Sequence, residues 1–322
     1  MLIVEKFGGS SLAGPEAVRR CAGVIADTAL RGHTVAAVLS AQGDATDELL
    51  STAALYGADP SPRELDMLLS TGEQASAALM AMALQEMGLA AVSLAGWQAG
   101  VETDAAFGSA RIRRLDVRRV RAELAAGKIV LVTGFQGVSP EGDVTTLGRG
   151  GSDTSAVALA AALRADECRI YTDVEGIYTA DPRLVPGAKK LDAVDVGEMR
   201  RLAALGSQVL HERSVILAER YAVPLEVLSS LVRAPGTRVL PLPPAEGESR
   251  ITALSRSGAL VSMVGAGLHR FPELQARALR ALEAAGIAPE ATLERDGSFS
   301  VQVPPEQSLE ALRALHREFM EE

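Results

Sequence analysis

Short apolar runs rich in β-branched residues alternate along the chain with longer runs in which apolar positions recur every three or four residues. Side chains alternate between the two faces of a strand and return to one face of a helix every 3.6 residues, so the two patterns predict strands and helices. The predicted strands are 2–6, 34–39, 91–94, 129–133, 167–172 and 225–228, and the predicted helices are 15–31, 71–87, 117–126, 154–163, 196–205 and 214–221. This alternation predicts an α/β fold, a mostly parallel sheet with helices on both faces.

The pattern changes after residue 232. Residues 233–249 are rich in proline and glycine, which predicts the end of one domain and a linker. A strand at 260–264, a helix at 272–285, a hairpin of strands 291–295 and 299–303 around Asp296-Gly297, and a helix at 309–320 follow. The sequence therefore predicts a domain at 1–232, a linker at 233–250 and a small α+β module of βαββα order at 251–322.

Composition narrows the possible partners. The 322 residues carry a net charge of −9 and only 3% aromatic side chains, which argues against a nucleic-acid or anionic-membrane partner. Two distant cysteines, Cys21 and Cys168, form neither a disulfide scaffold nor a zinc site and are interpreted as buried free thiols. With no signal-peptide pattern at the start and no apolar run of about 18 residues, we expect a cytoplasmic protein.

The segment KFGGSS at 6–11 follows the first predicted strand. Its adjacent glycines let the backbone approach an anion, and Lys6 supplies a point charge for phosphate oxygens. A plain strand-to-helix turn is the alternative. Burying an unpaired ammonium at the end of an apolar strand would cost several kcal/mol, so the position of Lys6 favours an anion site.

Two further segments combine glycine or serine with a charged residue. LGRGGSDT at 147–154 opens an alanine-rich helix, whose N-terminus is suited to an anion, while Arg149 can hold a carboxylate with two hydrogen bonds. The alternative is that Ser152 or Asp153 is simply an N-cap. STGE at 70–73 fits a capping box before an apolar helix, the interpretation that the residues alone favour. A carboxylate at Glu73 is also suited to a substrate ammonium, and the two roles are compatible.

The fourth segment, YTDVEGIYTADPR at 171–183, places acids, tyrosines and a cation in one loop after a predicted strand. A nucleotide site needs an acceptor for the ribose hydroxyls, a face for the base and a positive charge for phosphate, and this loop contains all three. An ordinary surface loop remains the alternative.

Over nearly all of residues 1–240 the chain resembles the aspartate kinases of the amino-acid kinase superfamily. The resemblance rests on the segments at 6–11, 43–49, 70–73, 98–101, 134–137, 145–154 and 171–183. The last of these is shared with glutamate 5-kinases and uridylate kinases and identifies the superfamily alone. KFGGSS, Gly-Asp-x-Thr-Asp and GRGGSD together are more specific and point to aspartate.

The resemblance implies the three-layer amino-acid kinase fold and transfer of the γ-phosphoryl group of ATP to the β-carboxylate of L-aspartate, with ATP and Mg²⁺ as cofactors. The residues it assigns to ATP are Lys6, Gly8, Gly9, Ser10, Ser40, Thr172, Asp173, Tyr178, Asp181 and Arg183. Those it assigns to aspartate are Thr46, Glu73, Arg149, Gly150, Gly151 and Ser152. Lys6 and Asp153 are the implied catalytic pair, with Asp153 orienting Lys6, and the product enters lysine, threonine or methionine biosynthesis.

Two positions depart from the family pattern, since Gln208 stands where lysine is common and Leu228 where arginine is common. Lys190 and Arg213 are nearby cations that could compensate. The C-terminal module resembles a single ACT domain where the family usually has a pair, which implies weak or absent feedback inhibition and, through an open sheet edge, a homodimer. The alternatives left open are a kinase of glutamate, N-acetylglutamate or UMP, and a weakly active or inactive amino-acid sensor.

Overall fold

A computed structural model describes residues 1–242, 250–295 and 297–321 of the chain. The strands are β1 Leu2–Phe7, β2 Thr34–Leu39, β3 Ala91–Leu94, β4 Val101–Thr103, β5 Ile112–Leu115, β6 Ile129–Thr133, β7 Gln136–Val138, β8 Val144–Thr146, β9 Glu167–Thr172, β10 Ala193–Asp195, β11 Leu225–Ser229, β12 Thr237–Leu240, β13 Arg250–Ser257, β14 Leu260–Ala266, β15 Ala291–Arg295 and β16 Ser298–Gln302. The helices are α1 Pro15–Leu30, α2 Ala45–Ala54, α3 Pro62–Glu86, α4 Arg118–Ala125, α5 Gly151–Leu163, α6 Val196–Ala204, α7 Glu212–Tyr221, α8 Pro272–Ala284 and α9 Ser308–Met320.

The described chain divides into two units, which are Met1–Glu175 with Arg220–Pro235 and Gly176–Glu219 with Gly236–Glu322. In the first unit, β11, β9, β1, β2, β6 and β3 lie side by side in that order, and each pairs with its neighbours in parallel. β2 and β6 are almost wholly apolar because helices cover both of their faces. The predicted α/β architecture is therefore confirmed.

The two faces of this sheet are covered by different helices. One face packs against α1 and α3, where Phe7, Leu39 and Leu131 join a buried cluster with Ile25 and Met80. The opposite face of β1 carries Lys6 and meets α5. All six predicted strands of this sheet are present, within one residue of their predicted ends.

A second sheet in the first unit, of order β5-β4-β7-β8, has no counterpart among the predicted strands. Its strands are three or four residues long, too short to show an alternating pattern. α2 is likewise an addition. α3 begins at Pro62 rather than at residue 71, and the proline occupies the first turn, where its missing N–H costs nothing.

The second unit contains the C-terminal module. Its antiparallel sheet has the order β13-β14-β16-β15, and α8 and α9 share an apolar cluster with it. The predicted strands and helices from 260 onward are present, but β13 is an additional first strand. β12 lies within the predicted linker and pairs in parallel with β10. Residues 243–249 of that linker and Asp296 of the predicted hairpin turn lie outside the described residues, and the domain limits stay predictions.

No helix within the described residues is long and apolar enough to cross a membrane. Cys21 and Cys168 are buried free thiols, as predicted. Burial raises the pKa of Cys21 to about 11 and moves that of Cys168 further upward, because a thiolate is poorly solvated there. Neither sulfur is a reactive nucleophile.

Glu5 is a fully buried carboxylic acid on the α1 face of β1. Thr28 Oγ1 donates to its Oε1 over 2.7 Å, and Arg169 Nη1 lies 3.8 Å from the same oxygen. Desolvation nevertheless dominates and raises the pKa of Glu5 from 4.5 to about 7. The folded protein therefore holds a proton here that the unfolded chain releases at lower pH.

Replacing Glu5 with glutamine should make the protein relatively more stable as the pH rises. Between pH 4.5 and 7 the unfolded chain loses the Glu5 proton while the folded protein keeps it, so the wild type loses stability across that interval. The difference in free energy of unfolding, variant minus wild type, should rise by up to about 3 kcal/mol between pH 5 and pH 8. Urea unfolding at both pH values measures it, and a pH-independent difference would contradict the assignment.

Candidate active site

The carboxyl ends of five parallel strands lie level with one another. Phe7 of β1 pairs with Leu39 and Tyr171, and these pair in turn with Thr133 and Leu228. The next residue on each strand is therefore at the same edge of the sheet. Those residues are Gly8, Ser40, Gly134, Thr172 and Ser229. Parallel sheets bind ligands at this edge, and three of the five positions were predicted site residues.

Lys6 and Asp153 form an ion pair at this edge. Lys6 Nζ lies 2.7 Å from Asp153 Oδ1, and each side chain is only 12% exposed. Asp153 occupies the first turn of α5, so the helix presents a carboxylate to the end of β1. A Cβ at Gly8 would lie 3.3 Å from Lys6 Nζ, so glycine leaves room around the ammonium. The predicted contact between the two residues is present.

The glycine turn after β1 packs tightly on the segment after β2. A Cβ at Gly9 would lie 2.9 Å from the Ala41 carbonyl oxygen, and the Gly43 N–H donates to the Gly9 carbonyl over 2.9 Å. A side chain at Gly9 would force these backbones apart. Ser10, which follows, is exposed. The turn thus places small residues and the exposed Ser10 hydroxyl where an anion would approach.

The start of α5 is equally crowded. Gly150, its N-cap, has a φ of 69°, and no side chain caps the helix. Ser152 and Asp153 lie inside the helix, so the N-cap alternative for these two residues is wrong. A Cβ at Gly134 would lie 2.7 Å from Ser152 Oγ, which shows how closely the end of β6 approaches the helix. An uncapped N-terminus directs N–H groups toward a ligand anion.

Glu73 lies within α3 and is 3% exposed. Its Oε1 accepts a hydrogen bond from the Ala41 N–H over 3.0 Å, and its Oε2 has no hydrogen-bond partner among the described residues. Burial raises the pKa of Glu73 to about 7, although the Ala41 N–H opposes the shift. A buried carboxylate oxygen without a donor is expensive, which indicates that a cationic ligand completes the site.

The capping-box interpretation of residues 70–73 is wrong. α3 begins at Pro62, so Ser70 and Glu73 lie more than one turn inside it, and Ser70 Oγ donates to the Met67 carbonyl. Gly72 has a packing role, since a Cβ there would lie 2.9 Å from Ala41 Cβ. That close approach brings the Ala41 N–H to Glu73.

Two buried residues with a supporting role were not predicted from the sequence. Asp66, 1% exposed, accepts hydrogen bonds from the N–H groups of Gly108 and Thr146 and from Thr146 Oγ1. Gln136 Nε2 donates to the Ser70 carbonyl over 2.9 Å. The signal for Asp66 was available: it shares with Glu73 the buried stripe of α3, seven residues apart.

The remaining predicted residues of the first unit lie as follows. Ser40 is half-buried, and its N–H donates to the Phe7 carbonyl. Thr46 lies in the first turn of α2, and Arg149 is exposed in the turn before α5. Thr172 ends β9, and its hydroxyl donates to the exposed Asp173 over 3.0 Å. Their roles in binding stay predictions.

Three predicted nucleotide residues, Tyr178, Asp181 and Arg183, belong to the second unit. Arg183 donates to the Asp181 carboxylate through Nε and Nη2, at 3.0 and 2.8 Å, and this holds the pKa of Asp181 below its usual range. Tyr178 pairs with Lys190 in an antiparallel bridge. Of the two departures from the family pattern, Leu228 packs on the apolar cluster of the first unit and Gln208 is exposed in the second.

No group of three or more histidine, cysteine, aspartate or glutamate side chains suited to a metal ion occurs among the described residues. Mg²⁺ usually retains waters and takes its other ligands from one or two carboxylates and the phosphates of a nucleotide. Asp173, exposed at the carboxyl end of β9, is a carboxylate of this edge that fits such a partial role.

Comparison with known proteins places this geometry in a family. Residues 1–229 match the Amino acid kinase family. The chain is 44% identical over 319 residues to an aspartokinase of Geobacillus stearothermophilus, covering 98% of this chain and 78% of that protein. It is 52% identical over 238 residues to aspartokinase 2 of Bacillus subtilis, covering 74% of this chain and 58% of that protein.

Solved structures show the same fold. Aspartokinase III of E. coli, crystallised with aspartate and ADP, matches with a TM-score of 0.87 over the whole of both chains at 23% identity. An aspartate kinase from Synechocystis matches with a TM-score of 0.69 at 32% identity, over 99% of this chain and 69% of that one. The chain therefore belongs to the amino acid kinase family, in the branch of the aspartokinases.

Proposed function

We propose that this protein transfers the γ-phosphoryl group of ATP to the β-carboxylate of L-aspartate, giving 4-phospho-L-aspartate and ADP. The observation that carries the proposal is Glu73, a buried carboxylate whose Oε2 has no donor in the part of the chain that the structure describes. Lys6 and the glycine turns suit any phosphoryl acceptor, whereas a buried anion without a partner suits an acceptor with an ammonium group. The aspartokinase relatives support the same substrate.

The chemistry requires charge neutralisation more than acid–base catalysis. An aspartate side chain has an ordinary pKa near 3.9 and is already ionised at neutral pH, so the nucleophile needs no general base. Two unit negative charges about 4 Å apart repel by about 4 kcal/mol at an effective dielectric of 20. Lys6 and the N–H groups at the start of α5 offset that repulsion as the two anions approach.

Asp153 acts on Lys6 rather than on the substrate. Its carboxylate contacts Lys6 Nζ at 2.7 Å, which fixes the direction of the ammonium. The reacting oxygen carries no proton to remove, so Asp153 is a positioning residue in this proposal. Arg149 and Ser152, with the neighbouring glycines, are proposed to hold the α-carboxylate of aspartate.

ATP is proposed to bind with its phosphates at Lys6, Gly8, Gly9 and Ser10. Mg²⁺, when bound with ATP, would neutralise phosphate charge, and Asp173 is the proposed carboxylate toward it. Both substrates favour a cytoplasmic protein acting in aspartate-family amino-acid biosynthesis. A homodimer is proposed through β15, an edge strand whose five residues are exposed.

Hydroxylamine trapping of the acyl phosphate tests the proposed reaction. Purified protein with Mg-ATP should form hydroxamate with L-aspartate and little with L-glutamate. Without an acceptor it should release much less ADP than it does with aspartate. Hydroxamate formation with glutamate at an equal rate would show a different carboxylate kinase. Binding of aspartate, measured by calorimetry, without hydroxamate formation would show an amino-acid sensor and contradict the proposal.

A further inference from the structure

The second unit fixes one of the proposed nucleotide segments to the C-terminal helix. We call residues 176–190 the nucleotide segment because it contains Tyr178, Asp181 and Arg183. Its two ends pair with each other, since the Thr179 N–H donates to the Lys189 carbonyl over 2.9 Å and the Leu191 N–H donates to the Ile177 carbonyl over 2.9 Å. The segment is therefore a closed loop held at its base.

His316 of α9 reaches this base. The side chain is fully buried, and its Nε2 lies 2.9 Å from Thr179 Oγ1. Its Nδ1 lies 3.1 Å from Glu321 Oε1. With the ring proton on Nδ1, His316 donates to Glu321 and accepts from Thr179, while Thr179 Oγ1 accepts from the Lys189 N–H at 2.9 Å. Every polar atom of this chain of hydrogen bonds then has a partner.

Thr179 is thereby held through its backbone as well as its side chain. Its carbonyl accepts from the Leu254 N–H of β13 over 2.7 Å, in addition to the bonds already described. Tyr178 precedes it directly, and Asp181 follows two residues later. A residue with its N–H, its carbonyl and its hydroxyl all engaged leaves its neighbours little freedom.

Two more contacts join α9 to the same segment. Arg313 Nε donates to the Leu184 carbonyl over 3.0 Å, and Lys189 Nζ donates to the Met320 carbonyl over 2.9 Å. The segment also contributes apolar side chains to the cluster that α9 covers, where Ala180 and Val185 are both about 3% exposed. Contacts at Arg313 and His316 in the middle of α9 and at Met320 at its C-terminal end therefore hold the nucleotide segment against the helix.

We infer that His316 is a positioning residue for nucleotide binding, which it serves by holding Thr179 and, through it, Tyr178 and Asp181. The inference rests on the proposed function, because the nucleotide segment has its role only if the protein binds ATP. A histidine buried in an apolar cluster is costly unless both ring nitrogens are bonded, and an apolar side chain would pack here without that requirement. The imidazole is needed for the link to Thr179.

Variants of the full-length protein separate this role from a purely structural one. Thr179→Val keeps the shape and removes the hydroxyl. His316→Asn places an amide near the position of Nδ1 and loses the contact with Thr179, whereas His316→Gln places one near Nε2 and retains it. Lys189→Met, at an exposed side chain, weakens the link between the segment and α9 without altering the core. Lys128→Met, at a surface lysine paired with Glu123 in the first unit, is the matched control.

The readouts are the KM for ATP and for aspartate and the Kd for Mg-ADP by calorimetry. His316→Asn, which loses the one hydrogen bond to Thr179, should raise the KM for ATP and the Kd for Mg-ADP about tenfold. Thr179→Val, which also loses the hydrogen bond from the Lys189 N–H, should raise both constants at least as much. The KM for aspartate should change less than twofold. His316→Gln should stay within threefold of the wild type, and Lys189→Met should show a smaller shift in the same direction.

An equal rise in the KM for ATP and the KM for aspartate would overturn the inference. A lower Tm with no change in the Kd for Mg-ADP would also overturn it. So would His316→Gln behaving like His316→Asn. If Thr179→Val and His316→Asn do not fold, an unchanged Kd in Lys189→Met would overturn it. A wild-type protein that binds no Mg-ADP would overturn the proposed function itself. A wild-type protein that binds Mg-ADP, with variants that bind it equally well, would overturn only the role of His316.

Discussion

Replacing Lys6 with methionine should lower kcat about a thousandfold. The ammonium opposes a repulsion of about 4 kcal/mol between the two anions, and each 1.4 kcal/mol is a tenfold change in rate. Methionine preserves the length and the apolar stem of lysine, so the loss is one of charge. Hydroxamate formation at saturating aspartate and ATP measures the effect. Lys128→Met removes a surface lysine and should leave kcat within twofold of the wild type.

A double variant separates catalysis from folding. Lys6→Met leaves Asp153, whose side chain is 12% exposed, without its partner, and the protein should lose stability. Adding Asp153→Asn removes the uncompensated charge and should restore part of the lost Tm without restoring kcat. Activity that returned together with Tm would show that Lys6 is structural, and would contradict the assigned role.

Replacing Glu73 with glutamine should raise the KM for aspartate about a hundredfold and leave the KM for ATP within threefold. The change keeps the shape and the acceptor for the Ala41 N–H, and removes only the negative charge that is proposed to meet the substrate ammonium. Loss of one member of a buried charge pair costs about 2–5 kcal/mol, so a hundredfold effect lies in the expected range. Glu86→Gln, an exposed position on the same helix, is the matched control and should change neither constant.

The same residue should determine how aspartate binding depends on pH. Burial raises the pKa of Glu73 to about 7 in the unliganded protein, and the protonated acid cannot hold an ammonium group. The value of kcat/KM for aspartate should therefore rise from about pH 6 to about pH 8 and level off above pH 8. Glu73→Gln should lose that rise. A variant that kept the wild-type pH profile would assign the titration to another group.

The main sheet could be predicted from the sequence because its strands are buried on both faces. Runs such as that of β6, Ile129–Thr133, are almost wholly apolar, because both faces of a buried parallel strand contact helices and favour apolar side chains. β4, β7 and β8 have three residues each, and no periodicity can be detected over such a length. The start of α3 was missed because Ser70 and Glu73 imitate a capping box inside a helix that a proline had already begun.

The residues of the candidate site could likewise be predicted from the sequence only in part. Residue types that carry charge in glycine-rich surroundings, such as Lys6 and Asp153, could be selected from their motifs, and their ion pair is present. The group that holds Glu73 could not, because it is a backbone N–H that every residue except proline possesses. His316 was also missed, since its partner Thr179, in the segment at 171–183, lies 137 residues away and His316 belongs to no motif that the sequence analysis identified.

A structure of the protein with L-aspartate and a non-hydrolysable ATP analogue would be the most direct test. We expect the substrate ammonium within hydrogen-bond distance of Glu73 Oε2, and Lys6 Nζ in contact with the phosphates while it remains beside Asp153. The substrate β-carboxylate should face the terminal phosphate near the start of α5. An ammonium bound away from Glu73, with Lys6 contacting neither substrate, would contradict the proposed mechanism.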